Sequence, residues 1–309
     1  MSQRSEAAAG PVPGDPGQWE EHRVPVGQTT LVARVRAGSG PAVVFEAGLG
    51  LPGASWQPVC DRLPADRSLL YYDRAGLGRS GPGVAPRTGT RQLAELRELL
   101  RELGIAPPYI LVGHSAGAFI ARLFALEHPA EVAALVLVDP SHEDEEHARP
   151  ALLRWVDSAG SWLLRGAAGV ARRGALQWAH RLAQRVPVPR RNTSGDRASL
   201  LTHLLSPQHL EGAVREDEAF PTTVDEVRRA EEHRSMPPVP VRVITAEGAY
   251  NRLSRLHRAA HAEQHRIRAL HAGLAAASPR GLQVVAPRSG HMVMTDDPDL
   301  VARTVADVL

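Results

Sequence analysis

The residue best placed to act as a nucleophile is Ser115, at the centre of the pattern Gly-x-Ser-x-Gly in residues 113–117. An apolar run at residues 109–112 precedes it and predicts a buried strand. Another at residues 118–126 follows it and predicts a helix that ends before Pro129. At such a sharp turn between small residues, a serine exposes its hydroxyl at the end of a sheet. The pattern therefore predicts a nucleophilic serine, although three fixed residues also occur in ordinary tight turns.

A serine hydroxyl is a weak nucleophile at neutral pH. It needs a histidine to accept its proton and a carboxylate to orient that histidine. Of the 14 histidines, His291 is the one in a short glycine turn directly after a predicted strand, and we expect it to be the base. His114 adjoins Ser115, but we expect its side chain to point away from the turn and to pack in the interior.

Two carboxylates at predicted strand ends are candidates for the acid. Asp139 ends the strand at residues 134–138, the next one after the serine strand, and Glu247 follows a later strand at residues 241–245. We favour Asp139, because its place at the strand end is better defined and aspartate suits a short reach. The order along the chain is then Ser, Asp, His, and Glu247 remains the reserve acid.

Two other groups of polar residues are candidates for chemistry. Asp73 and Arg74 follow a predicted strand at residues 67–72, and we interpret them as a pair that holds the following loop. His142 and His147 flank four acidic residues, but the run lacks the spacing of a zinc site and its charge predicts a solvated loop. The sequence predicts no metal, and without a dinucleotide fingerprint or P-loop it predicts no nucleotide cofactor.

The elements that must position these residues alternate between strand and helix. The apolar face of residues 90–103, for example, predicts a covering helix that ends at Gly104. This alternation indicates an α/β fold with a mainly parallel, doubly wound sheet. Functional residues in such sheets lie at the carboxyl ends of the strands, where Ser115, Asp139 and a glycine-bearing loop at residues 46–50 fall. The predicted strands are residues 22–26, 29–35, 41–45, 67–72, 109–112, 134–138, 241–245 and 282–285.

Changes in composition predict the domain organisation. Residues 1–20 are rich in Ala, Gly and Pro, which predicts a disordered leader. Residues 21–140 and 239–309 carry the strand signals and form the core. Residues 141–238 lack strand signals, and we interpret them as an inserted helical cap.

The tryptophans of the cap lie among arginines in an amphipathic mixture that would also suit a membrane surface. They are Trp155, Trp162 and Trp178. We favour the interpretation that these apolar faces pack on the core and roof the pocket, rather than contact a membrane.

The overall composition is that of an ordinary globular protein, with 309 residues of which 43% are hydrophobic. A single cysteine, Cys60, excludes an internal disulfide, and neither a membrane-length apolar run nor a signal core is present. We therefore expect a cytoplasmic protein. The 36 basic residues are all arginine and are balanced by 34 acidic ones, which argues against a nucleic-acid partner. The oligomeric state is not predicted.

Four motifs together resemble those of the α/β-hydrolase fold superfamily. They are Glu46-Ala47-Gly48-Leu49-Gly50, Asp73-Arg74-Ala75-Gly76-Leu77-Gly78-Arg79-Ser80, Gly113-His114-Ser115-Ala116-Gly117 and Ser289-Gly290-His291. The resemblance runs from about Val24 to Leu309, apart from the cap. It implies the α/β-hydrolase fold with its nucleophile elbow, but it does not specify a substrate.

The chain departs from this resemblance at two places. Many members have a His-Gly pair in the loop after the third strand, where this chain has Ala47 and Gly48. The resemblance then implies that the backbone N–H groups of Leu49 and Ala116 form the oxyanion hole. Many members also carry an aspartate shortly after the strand that ends near Thr245, and this chain does not. That gap supports Asp139, because pancreatic-type lipases resemble this chain in placing the acid after the earlier strand.

The sequence thus predicts a serine hydrolase that cleaves an ester or related acyl bond of a small, hydrophobic substrate through an acyl-enzyme. Ser115 attacks, His291 transfers the proton and Asp139 orients His291. Two other functions remain open. One uses the same triad for a cofactor-free haloperoxidase-like or carbon-carbon hydrolysis reaction, and the other is a non-catalytic receptor that keeps the pocket and binds a ligand.

Overall fold

An eight-stranded sheet forms the centre of the computed structural model, which describes residues 17–144, 166, 168–169, 206–248 and 258–309. The strands are β1 (Trp19–Val26), β2 (Thr29–Arg36), β3 (Ser39–Glu46), β4 (Arg67–Asp73), β5 (Tyr109–His114), β6 (Val132–Val138), β7 (Val241–Ala246) and β8 (Gly281–Ala286). Their order in the sheet is β1-β2-β4-β3-β5-β6-β7-β8. The pairs β1/β2 and β2/β4 are antiparallel, and the other neighbours are parallel. The prediction of a mainly parallel α/β sheet is confirmed.

The central strands are apolar along most of their length because helices cover both faces of the sheet. Successive side chains of a strand point to opposite faces, so Val43 packs in one core cluster and Val44 in the other. Both side chains are fully buried. The two clusters together fix the register of the strands, because a slip of one residue would exchange the faces of every side chain.

Helices connect the strands from β3 onwards and also follow β8. They are α1 (Gln57–Cys60), α2 (Gly89–Glu102), α3 (Gly117–Glu127), α4 (Pro207–His233), α5 (Arg258–Ala276), α6 (Val293–Asp296) and α7 (Pro298–Ala306). The helix predicted at residues 90–103 corresponds to α2, whose leucines at 93, 96, 99 and 100 are buried against the sheet. Thr88 precedes α2, and its side-chain oxygen accepts a hydrogen bond from the Arg91 N–H, as expected at a helix N-terminus.

The insertion between β6 and β7 contains α4, which we refer to as the insertion helix. It is 27 residues long and includes Pro221. One side of the insertion helix packs across α2 and α3, where Val227 and Ala230 join the core. The cap tryptophans Trp155, Trp162 and Trp178 and the histidine His147 lie outside the described residues.

The start of the core differs from the prediction. Residues 1–16 lie outside the described residues, but β1 begins at Trp19, inside the segment predicted as a leader. The Trp19 ring packs against Tyr71 with ring centroids 5.1 Å apart, and the Arg36 guanidinium lies over it. These contacts anchor the first strand two residues earlier than composition alone suggests.

Across the described ranges, none of the helices is both long enough and apolar enough to cross a membrane.

Candidate active site

Ser115 lies at the sharp turn between β5 and α3. Its φ of 52° is in the left-handed region, which a residue other than glycine adopts only under constraint. A Cβ at Gly117 would come within 2.4 Å of the Ala47 carbonyl oxygen, so the turn and the loop after β3 are in direct contact. The Ser115 N–H donates to the Val138 carbonyl (3.2 Å), which ties the turn to the end of β6.

His291 lies in the loop between β8 and α6, at the same edge of the sheet as Ser115. Its Nε2 is 2.9 Å from the Ser115 Oγ, although the two residues are 176 positions apart in sequence. The N–H of the preceding residue, Gly290, donates to the Asp296 carboxylate (2.8 Å) and holds the loop. The His291 side chain is 56% exposed, so the outer side of the pair is open to solvent.

Asp139 follows β6 and completes a line of three side chains. Its Oδ2 is 2.7 Å from His291 Nδ1, and its Oδ1 accepts a hydrogen bond from the Ala246 N–H (2.9 Å). An acceptor on the Nδ1 side favours the tautomer with hydrogen on Nδ1, so the Nε2 lone pair faces the Ser115 hydroxyl. The structure therefore brings together Ser115, His291 and Asp139, the three residues singled out by the sequence.

Glu247, the reserve acid, has a different partner. It is largely buried, and its Oε1 is 3.3 Å from Arg268 Nη1 on α5. Of the two carboxylates considered for the acid, Asp139 is the one in contact with His291 within the described part of the chain.

A buried histidine supports the turn that carries Asp139. His271 of α5 donates from Nε2 to the Pro140 carbonyl (2.9 Å), and its Nδ1 lies 3.0 Å from the Thr245 hydroxyl oxygen. Asp139 itself has a φ of 41°, so this turn, like the one at Ser115, is constrained by its surroundings. Burial lowers the pKa of His271, which keeps the ring neutral and able to both donate and accept.

The loop after β3 lies beside the serine turn. Leu49 and Ala116 both line a small cavity at this place. Neither of their N–H groups donates to an acceptor within the described ranges. An oxyanion hole requires two backbone donors that are free in this way.

Arg74 holds the loop that contains Leu49. Its guanidinium donates to the carbonyl oxygens of Ala47 (2.6 Å) and Gly48 (2.7 Å). The sequence interpretation was that Asp73 and Arg74 hold the loop that follows them. It is confirmed for Asp73, whose carboxylate accepts from the Arg79 N–H (2.9 Å), but it is wrong for Arg74, which reaches back to the loop after β3.

The insertion helix contacts both Arg74 and the loop after β3. Glu216 receives two hydrogen bonds of 2.8 Å from Arg74, and its Oε2 also accepts from the Gly50 N–H (2.9 Å). Two turns earlier on the same helix, His209 lies between the Gly78 N–H and the Gly50 carbonyl. Burial opposes ionisation of Glu216, but the Arg74 guanidinium outweighs it and lowers the pKa of that carboxyl. Sequence analysis missed Glu216 and His209.

A second buried carboxylate, Glu46, lies beneath the same loop. The Tyr72 hydroxyl donates to it, and Arg74 Nη1 is 3.4 Å away. Burial raises the pKa of Glu46 to about 7, because Arg74 and Tyr72 only partly compensate for the loss of water. The charge beneath the loop therefore changes near neutral pH.

His114 was expected to pack in the interior, away from the turn. It is buried, and its ring makes an edge contact with Trp56, but its Nε2 also lies 2.9 Å from the His291 carbonyl oxygen. A carbonyl can only accept, so Nε2 carries the hydrogen. Burial, and to a smaller degree the nearby His291, lowers the pKa of His114 to about 3. A neutral His114 thus holds the backbone of His291.

The acidic run after Asp139 is described as far as Asp144, and within it Glu143 does not fit the solvated loop that the charge of the run predicts. Glu143 is buried and accepts two hydrogen bonds from Arg122 of α3, at 2.8 and 3.0 Å. The same guanidinium contacts Glu231 of the insertion helix, so Arg122 joins the start of the insertion to its last helix. No cluster of three or more His, Cys, Asp or Glu side chains suited to a metal ion occurs among the described residues.

The chain is similar to known proteins both in sequence and in structure. The alpha/beta hydrolase family matches residues 43–304. Among curated proteins, YqjL of Bacillus subtilis is 36% identical over 127 residues, which are 41% of this chain and 50% of YqjL. The chain thus spans about half the length of this relative.

Solved structures match over nearly the whole chain at low identity. The enol-lactonase from Burkholderia xenovorans LB400 has a TM-score of 0.62 at 21% identity, with 93% of this chain and 99% of that chain covered. The Cif epoxide hydrolase from Acinetobacter nosocomialis has a TM-score of 0.68 at 16% identity, with 94% and 89% covered. Identities this low indicate a shared fold, which is compatible with many reactions.

Proposed function

This chain belongs to the alpha/beta hydrolase family, and we propose that within it the protein is a serine hydrolase that cleaves an ester or related acyl bond through an acyl-enzyme. The observation that carries the proposal is the line of contacts from Ser115 Oγ to His291 Nε2 (2.9 Å) and from His291 Nδ1 to Asp139 Oδ2 (2.7 Å). Both distances are within hydrogen-bonding range, so the serine has a base and the base has an orienting acid.

In the first half of the reaction, Ser115 Oγ attacks the acyl carbon while His291 Nε2 takes the hydroxyl proton. The negative charge moves to the carbonyl oxygen, where the N–H groups of Leu49 and Ala116 hold it. When the bond to the leaving group breaks, His291 returns the proton to that group. An ester of Ser115 remains, and Asp139 has stabilised the imidazolium throughout.

In the second half, a water molecule takes the place of the leaving group. His291 removes a proton from the water, and the resulting hydroxide forms the new bond to the acyl carbon. The bond to Ser115 Oγ then breaks, and His291 gives the proton back to the serine. The exposed side of His291 provides a path for the leaving group and for this water.

The test is a panel of p-nitrophenyl esters of increasing chain length, with lactones and thioesters, assayed with the wild type and Ser115→Ala. Lactones belong in the panel because they are internal esters and the enol-lactonase shares this fold. We expect hydrolysis that Ser115→Ala reduces by on the order of a thousandfold or more. Full turnover by Ser115→Ala would refute the mechanism.

The same panel separates the other functions. A receptor would bind the compounds without turnover, and a fluorophosphonate probe would fail to label Ser115. A haloperoxidase-like or carbon-carbon hydrolase would leave the esters largely intact, and product analysis with peroxide and halide, or with a diketone, would reveal it.

A further inference from the structure

The cavity beside Leu49 and Ala116 is small. Its volume is about 20 Å³, and its apolar wall includes Ile120 and Phe220. A site of roughly 10 to 15 Å³ holds one water molecule, so this space holds about one or two groups of that size. An acyl chain that enters this space has room for about one or two non-hydrogen atoms beyond the carbonyl group.

The two charged residues of the cavity wall, Arg74 and Glu216, form hydrogen bonds with each other. Arg74 directs its five N–H groups at Glu216, Glu46 and two backbone carbonyls. The Thr223 hydroxyl accepts from the Gly89 N–H and donates to the Ala219 carbonyl. A charged acyl group would therefore lose its water in the cavity without gaining an ion pair, and this loss of solvation costs much free energy. The wall favours an uncharged group.

Gln92 differs from these residues because half of its amide is unused. Its Nε2 donates to the Arg87 carbonyl (2.7 Å), and this bond fixes the amide orientation, since the reverse would place two oxygens together. The Oε1 then accepts from no described residue, although Gln92 is 94% buried and lines the cavity. Oε1 is not one of the fully buried side-chain atoms that lack a partner, so it is open to the cavity, where a donor on a ligand can replace water as its partner.

We propose that this cavity receives the acyl chain of the substrate beyond the carbonyl carbon that Ser115 attacks, and that it selects a short, uncharged acyl group bearing a hydrogen-bond donor, such as an α-hydroxyl. Gln92 Oε1 accepts from the donor, and the Phe220 ring limits the chain length. The inference rests on the proposed function. The sequence predicted a small, hydrophobic substrate, whereas this cavity favours an acyl group that is small and polar. The leaving group is not selected here, because it departs past the exposed side of His291.

The first experiment compares phenyl glycolate with phenyl propionate, which have the same number of non-hydrogen atoms. We expect the wild type to have a higher glycolate-to-propionate ratio of kcat/KM than hydroxide has for the same two esters. In Gln92→Met, which keeps the length of the side chain, the ratio should fall by about fivefold, the value of one neutral hydrogen bond. In Gln92→Glu, which keeps an oxygen acceptor, it should stay above the Gln92→Met value.

The second experiment measures kcat/KM for acetate, propionate, butyrate and hexanoate esters of one phenol. We expect the wild-type rate to fall beyond propionate and the optimum to move to a longer chain in Phe220→Ala. Circular dichroism and a melting curve show whether each variant folds. The chain-length series of the wild type tests the proposal even if a variant does not fold.

The outcomes separate this inference from the proposed function. A wild type that prefers hexanoate, or a wild-type glycolate-to-propionate ratio no higher than that of hydroxide, would overturn the acyl site even if turnover depends on Ser115. The same holds if a folded Gln92→Met keeps the wild-type ratio. Turnover that is equal in Ser115→Ala would instead overturn the proposed function, and the acyl site with it.

Discussion

The Arg74 guanidinium donates two hydrogen bonds of 2.8 Å to the Glu216 carboxylate, from a strand end to a helix 142 residues later in the chain. The other N–H groups of Arg74 hold the loop of Ala47 and Gly48, which precedes the N–H of Leu49. The position of a proposed oxyanion donor therefore depends on the insertion helix. The insertion helix therefore both packs on the core and holds the loop of the proposed oxyanion donor.

Glu216→Gln should lower kcat by roughly tenfold to a hundredfold with little change in KM, because a misplaced oxyanion donor weakens binding of the transition state more than that of the substrate. Steady-state kinetics with a short ester measures both constants. Glu231→Gln is the matched control, since Glu231 is on the same helix and pairs with the buried Arg122 away from this loop. Equal losses of kcat in the two variants would mean that Glu216 acts only through stability.

The two candidate acids predict opposite results. Asp139→Asn should lower kcat by on the order of a thousandfold or more, because an amide at this place favours the wrong tautomer of His291. Glu247→Gln should change kcat only slightly, since Glu247 contacts Arg268 instead. Both variants are assayed with the same ester under saturating conditions. A mild effect of Asp139→Asn and a severe effect of Glu247→Gln would transfer the role of the acid to Glu247.

Gly48 is adjacent to the His114 ring. A Cβ at this position would lie 2.8 Å from His114 Nδ1, so Gly48→Ala must displace either the loop or the ring. We expect a loss of kcat, because the loop carries the Leu49 donor and His114 holds the backbone of His291. Gly273→Ala is the control. Its Cβ meets nothing within 4 Å, and in a helix the change should stabilise the fold by about 0.5 to 1 kcal/mol. Unchanged kcat in Gly48→Ala would show that neither contact matters.

His114 makes stability depend on pH. Its folded-state pKa of about 3 lies below the value near 6.5 that an unfolded histidine has. Between those pH values the unfolded chain binds more protons, so the free energy of unfolding falls as the pH drops below about 6.5, by up to about 1.4 kcal/mol per pH unit. Urea unfolding at pH 7.5 and pH 5 measures this loss. In His114→Gln the loss should be smaller, while the contributions of other groups, such as Glu46, remain in both proteins. An equal loss in the two proteins would contradict the low pKa.

The sequence was most informative where one short segment determines its own structure. The strand, turn and helix around Ser115 could be predicted because the apolar runs and small residues of that segment specify them locally. The strand ends also predicted that Asp139 and His291 lie at one edge of the sheet, since parallel strands bring their carboxyl ends together, and their side chains are in contact there. The resemblance to the α/β-hydrolase superfamily is confirmed by the family match over residues 43–304.

The missed contacts depend on long-range pairing. Nothing near Glu216 in the sequence distinguishes it from the other acidic residues of the insertion, and its partner Arg74 lies on a different element. The sequence does carry a signal for the position of His114. Alternation along β5 puts it on the same face as Val112, and Met292, the residue after His291, packs against the core cluster of Val112.

The most direct test of the central claim is a search for the acyl-enzyme itself. The wild type is mixed with p-nitrophenyl acetate, quenched in acid during turnover, digested and analysed by mass spectrometry. The account predicts an acetyl group on the peptide that contains Ser115, and its absence in Ser115→Ala. Turnover by the wild type with no acetyl group on Ser115, together with full turnover by Ser115→Ala, would contradict the account.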